Sequence, residues 1–223
     1  MQINEALLPV RSVSEVSEFY ARAGFAVQGE TSRVTVTIGR SRIVFLEGEF
    51  DGAHHLAFTI PTGTFDHARQ WIEERTSLLS VDEQTEFEGP ASWNSRSLYF
   101  NGPDEQVLEL IERRALSHGP VHSFTAADLV CVSELGVAVP DVPNAVHALE
   151  AAGIHPYGNE PAQDFAAVGD VDGLLILVTS GRSWFPTASR RVADTAITVQ
   201  TTVRQEVSLS PAKRVITMEV PLG

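Results

Sequence analysis

Residues 5–25, EALLPVRSVSEVSEFYARAGF, align without a gap on residues 134–154, ELGVAVPDVPNAVHALEAAGI, at an offset of 129 residues. Each stretch opens with a glutamate, runs through an apolar strand and reaches a helix start. In the first copy Ser12 and Glu15 form a capping box. In the second, Asp141 caps a helix with Pro143 just inside it. The core-facing positions correspond: Val13 with Val142, Val16 with Ala145, Tyr20 with Leu149. Both helices stop at a glycine, Gly24 and Gly153, the residue that terminates a helix in left-handed backbone at no steric cost. The chain therefore carries an internal duplication of a supersecondary unit.

After the first helix, short β-rich runs follow: FAVQGE (25–30), RVTVTIG (33–39) and RIVFLE (42–47), separated by turn residues. The unit reads β-α-β-β-β. A second unit opens with HHLAFTIP (54–61), and its helix spans about Thr64 to Arg75 with Phe65, Ala68 and Ile72 on one face. Its later strands fall near 82–88, at SLYFN (97–101) and at VLELIER (107–113). Residues 114–128 read as a linker. The third unit runs from Ser133 through FAAVG (165–169) and GLLILVTSG (173–181). AITVQTTVRQEV (196–207) and RVITMEVPL (214–222) then read as a β-hairpin with no helix. The expected fold is α+β: tandem βαβββ modules forming curved mixed sheets, or half-barrels, with helices on the outer face. Modules 1 and 2 (1–113) are expected to pair around a site. Residues 129–223 hold the third module and the hairpin.

Strand side chains alternate faces. His55, Ala57 and Thr59 therefore share one face, opposite Leu56, Phe58 and Ile60. Val107, Glu109 and Ile111 lie opposite Leu108 and Leu110. The wholly apolar faces need cover, so His55 and Glu109 point the other way, into a concave sheet where they could form half of a metal site. Ser97 and Tyr99 have inward parity, which makes Tyr99 a candidate substrate-side phenol. Trp93 and Arg96, just before a lining strand, are candidates for a substrate's ring or anionic group, although core packing and a surface ion pair explain them better. His54 falls on the opposite face from His55, which suggests a surface or edge position. Arg182 and Trp184 in GRSWFPT (181–187) read as anchors locking the third unit onto another surface.

The bulk properties exclude several classes. A net charge of −13 argues against nucleic acid or an anionic membrane as partner. No run approaches membrane-spanning length, and no secretory leader is visible. Cys131 is the only cysteine, which rules out an intrachain disulfide and a cysteine-ligated zinc cluster. A cytoplasmic location and a small-molecule substrate are the resulting expectations. No nucleophile elbow, Walker loop or dinucleotide glycine pattern is present.

Three tandem βαβββ units resemble the vicinal oxygen chelate superfamily, which includes glyoxalase I, extradiol ring-cleaving dioxygenases and bleomycin- or fosfomycin-resistance proteins. The stretches that carry the resemblance are LPVRSVSEVSEFYARAGF (8–25), HHLAFTIP and SLYFNGPDEQVLELIER (97–113). It implies a divalent metal (Zn, Ni, Mn or Fe) held from the first and last strands of two paired units. By position, His55 matches the first-strand ligand of the second unit and Glu109 its last-strand ligand. Glu5 occupies the first-strand position of the first unit, while Phe45 takes its last-strand position, with Glu47 further on. In the third unit Glu134 matches the first-strand position but Leu177 replaces the glutamate, so that half is expected to have lost its site. The implied ligands are His55, Glu109 and Glu5, with Glu109 or Glu5 as proton-transfer base. Glyoxalase-like lyase or isomerase chemistry is favoured, because an extradiol enzyme needs two histidines on its iron and one position here is Glu5. The alternatives are an extradiol-type dioxygenase and a metal-free protein that sequesters a drug. The C-terminal strands could complete a second half-barrel or pair across a homodimer.

Overall fold

The computed structural model describes residues 1–116, 123–203 and 205–217. These hold fourteen strands and three α-helices, in the order β1 (Ile3–Val10), α1 (Val13–Arg22), β2 (Ala26–Glu30), β3 (Arg33–Ile38), β4 (Ser41–Glu47), β5 (His55–Ile60), α2 (Phe65–Glu73), β6 (Glu86–Glu88), β7 (Ser95–Asn101), β8 (Val107–Arg113), β9 (Cys131–Val139), α3 (Val142–Ala151), β10 (Phe165–Asp170), β11 (Gly173–Thr179), β12 (Ile197–Thr201), β13 (Val207–Ser210) and β14 (Lys213–Thr217). The helix starts form as their caps dictate. Ser12 Oγ accepts the Glu15 N–H at 3.2 Å and Asp141 Oδ1 accepts that of Asn144 at 2.9 Å. Gly24 and Gly153 end α1 and α3 at φ of 92° and 82°, backbone that a side chain would strain.

The strands form two seven-stranded mixed sheets, ordered β13-β14-β12-β1-β4-β3-β2 and β10-β11-β9-β5-β8-β7-β6. The second sheet curls into a half-barrel built from units two and three. The first unit does not join the second; it pairs through β1 with β12, antiparallel. The C-terminal segment is also not a simple hairpin. β12 runs parallel to β14 while β13 is antiparallel to β14, the same connectivity as β9, β10 and β11 in the third unit. Among the described residues it is a reduced fourth unit with no helix, and, like the third unit, which was expected as βαβββ, it lacks a second strand. The two sheets thus repeat one plan, unit one with unit four and unit two with unit three. Residues 117–122 of the expected linker, with His118 and His122, lie outside the described residues.

One apolar core joins the helix-bearing faces of both sheets to all three helices, from Leu8, Val16 and Phe45 through Leu56, Phe58 and Ile72 to Leu135, Leu149 and Leu177. Burying each such side chain contributes about 1.5–3 kcal/mol. Tyr20, buried against Phe25 and Phe45, donates its hydroxyl to Gln106 Oε1 at 3.0 Å, tying α1 to the second unit. His54 belongs to this interior rather than to the surface. Its Nε2–H donates to the Pro9 carbonyl at 2.9 Å, linking the two sheets, and its burial lowers its pKa to about 4. Among the described residues no helix is long and apolar enough to cross a membrane.

Candidate metal centre and cavity

β5 and β8 lie side by side in parallel, with Ala57 opposite Glu109 and His55 opposite Val107. On the other flank β9 runs antiparallel to β5 and sets Glu134 opposite Ala57. These two registers bring His55, Glu109 and Glu134 together, all buried, with one ligand atom from each within 4.8 Å of the others. His55 Nδ1–H donates to the Val107 carbonyl at 3.0 Å. A carbonyl can only accept, so the proton sits on Nδ1 and Nε2 faces the carboxylates. Nε2 stands 3.5 Å from Glu109 Oε2 and 3.9 Å from Glu134 Oε2. This is how metal-binding histidines are held, with the far ring nitrogen pinned to a backbone oxygen.

The electrostatics of the trio follow from burial and charge. Burial, then the charge of Glu134, pushes the Glu109 carboxyl up to about 7. Burial works against the protonated His55 ring, but the nearness of Glu134 and the charges of both glutamates outweigh it and raise its pKa. Glu134 is held below the usual carboxylate range: burial opposes this, and His55 and Arg113 together prevail. The Tyr99 hydroxyl, opposite Glu109 on β7, is raised well above its ordinary value by burial and by the two carboxylates.

Above the trio opens a cavity of about 380 Å³ whose floor includes His55 and Glu134. Its walls are aromatic: Trp93, Tyr99, Tyr157, Phe165, Trp184 and Phe185. The segment between β11 and β12 straps one side. Trp184 Nε1–H donates to the Ala53 carbonyl at 2.7 Å, and its ring lies 5.1 Å from that of His55. Arg182, paired with Asp164 at 3.1 Å, also lines the cavity. The residues read from the sequence as anchors of the third unit thus form the wall beside His55.

Trp93 and Tyr99 stand in the cavity wall, and His55 and Glu109 face each other. Two other expected site residues lie elsewhere. Arg96 is on the helix side of β7, its guanidinium 3.7 Å from the centre of the Phe65 ring and 3.6 Å from Glu112, because its parity is opposite to that of Tyr99. Glu5 belongs to the first sheet, where Oε2 meets Arg42 Nε at 3.1 Å; it is not one of the trio. Its place is taken by Glu134, the residue that the repeat aligns with it. The sequence signal for Glu134 was present in that alignment, but unit pairing decides which copy is used. Phe45 and Leu177 both point into the main core. The register that pairs Ala57 with Glu109 pairs Leu7 with Val44 and Gly136 with Ile176. Val44 and Ile176 therefore hold the positions matching Glu109, and neither can be a ligand.

The donor set suits a metal ion. Ligands about 2.1 Å from a tetrahedral ion stand roughly 3.4 Å apart, close to the separations from His55 Nε2 to both carboxylates. One nitrogen and two carboxylate oxygens match zinc, manganese, nickel or ferrous iron.

No protein family matches the chain by sequence, and no curated protein does. Solved structures do match. A candidate dioxygenase from Bacillus subtilis subsp. subtilis str. 168 shares the fold at a TM-score of 0.61 and 16% identity, over 90% of this chain and 70% of that one. A glutamate-to-glutamine mutant of glyoxalase I from Zea mays matches at a TM-score of 0.58 and 12% identity, over 97% of this chain and 93% of that one. A valine-to-glutamate mutant of glyoxalase I from the same organism gives 0.57 and 14%, over 89% and 74%. At such identities the likeness is one of fold.

Proposed function

We propose that this chain, which has the vicinal oxygen chelate fold, is an enzyme that holds a divalent metal ion on His55, Glu109 and Glu134 and acts on a small oxygen-bearing molecule in the adjoining cavity. The observation that carries this reading is the convergence of His55 Nε2 with one oxygen of each glutamate beside an aromatic-walled cavity. A metal bound there would act as a Lewis acid toward substrate oxygens. The chain's own residues supply the rest. The rings of Trp93, Tyr157 and Phe165 bind a flat ligand and exclude water, and the Tyr99 hydroxyl stays protonated to donate a hydrogen bond. Without a metal, burial and the charge of Glu134 push the Glu109 carboxyl up to about 7, so Glu109, once off the metal, would be the carboxylate of the trio suited to carry a proton. That supports redox-neutral lyase or isomerase chemistry. Ring-cleaving dioxygen chemistry is less favoured, since His55 is the one imidazole in the trio.

One observation favours a second reading, a metal-free binding protein. Arg113 Nη2 donates to Glu134 Oε1 at 2.5 Å and already supplies positive charge. Metal content separates the two. Protein supplemented with Zn²⁺, Mn²⁺, Ni²⁺ or Fe²⁺ and then desalted should retain about one equivalent per chain, and His55→Ala should abolish retention. Retention below about a tenth of an equivalent, unchanged by His55→Ala, would sink the enzyme reading and leave the binding protein.

A further inference from the structure

Arg113 ends β8 and, among the described residues, is the largest side chain fully shut off from solvent. An arginine is almost never buried so completely without a partner. Its guanidinium carbon lies 5.5 Å from the Trp93 ring centre and 5.8 Å from that of Tyr157. Nε donates to Ser133 Oγ at 2.9 Å and Nη2 to Glu134 Oε1 at 2.5 Å, while Nη1 meets no acceptor among the described residues. Ser133 and Glu134 are sequence neighbours and in a regular strand would face opposite ways. The β5–β9 register slips between the pairs Ala57–Glu134 and Phe58–Val132, leaving Ser133 unpaired. Such a bulge re-aims side chains, and here both neighbours reach one guanidinium. The contact to Glu134 is single-pronged, so Oε1 belongs to Arg113 while Oε2 stays turned toward His55.

We propose that Arg113 is the resident counter-cation of this site: it neutralises Glu134 when no metal is present, and an entering metal ion must share that carboxylate with it. The inference rests on the metal reading above. Arginine does not deprotonate in a protein, so the positive charge is permanent. It lets the fold close over two carboxylates without an ion, and it repels any divalent ion that enters.

Titration calorimetry with Zn²⁺, with melting curves in Zn²⁺ and in chelator, tests this on wild type, Arg113→Met, Arg113→Lys and His55→Ala. Arg113→Met is expected to tighten Zn²⁺ binding by roughly ten- to a hundredfold. It should also melt well below wild type in chelator, with Zn²⁺ recovering most of the loss. Arg113→Lys keeps the charge and should bind within about threefold of wild type. If Arg113→Met is insoluble with and without Zn²⁺, the lysine variant decides: a change beyond about tenfold in either direction overturns the proposal. Wild-type binding that His55→Ala abolishes but Arg113→Met leaves equal or weaker overturns this inference alone. Absence of binding in every variant removes the metal reading, and the inference with it.

Discussion

The inward direction of His55 and Glu109 was legible in the amino-acid sequence, because strand parity with an apolar opposite face leaves a polar side chain one direction to point. Arg113 shares the parity of Glu109, so its face was legible too, but not its contact with Glu134, which depends on a bulge. The environment of Glu109 has a measurable consequence. Its pKa rises from 4.5 unfolded to about 7 folded. A raised folded-state pKa contributes stability that is fully present below the unfolded value and is lost as pH rises through the folded one. For Glu109 the loss spans pH 4.5 to just above 7 and amounts to on the order of 3 kcal/mol. Glu109→Gln removes this dependence. In metal-free protein, its melting temperature relative to wild type should climb between about pH 5 and pH 7 and level off above that. A constant offset across that range would show that Glu109 ionises normally.

At the scale of elements, β5, β8 and β9 form one hydrogen-bonded platform, and the strap after β11 walls one side of the cavity above it. Gly136 on β9 makes the close approach possible. A Cβ there would overlap the indole of Trp184 and stand 3.1 Å from His55 Cβ. Gly136→Ala should therefore displace Trp184 from His55 and cost about 1–3 kcal/mol. Its signature would be a red-shifted Trp184 fluorescence, read against a Trp184→Phe control, with a lowered melting temperature. An unchanged spectrum and stability would mean that the strap moves freely. Element type and order were readable from caps, glycines and periodicity. The bulge in β9 and the break of the C-terminal run into β12, β13 and β14 were not, since neither leaves a mark in local pattern.

At the scale of the molecule, two sheets of the same plan share one core, and only the second carries the trio. β12 covers the edge of β1, and Ile197, Val199, Val207 and Val215 are buried in the shared core. Deleting residues 195–223 should therefore cause aggregation by baring a strand edge and an apolar face. A truncated chain that remained a soluble monomer by light scattering would count against that role. The amino-acid sequence by itself determined the repeat, the βαβββ order of units one and two, the apolar faces of the strands and the inward direction of His55 and Glu109. Those properties follow from local periodicity and steric preference. It left open which unit pairs with which, because the first strand of every unit presents equivalent hydrogen-bonding edges and similar apolar faces. Tertiary pairing alone chose unit three over unit one, and so placed Glu134 rather than Glu5 beside His55. It also put a buried arginine on that carboxylate.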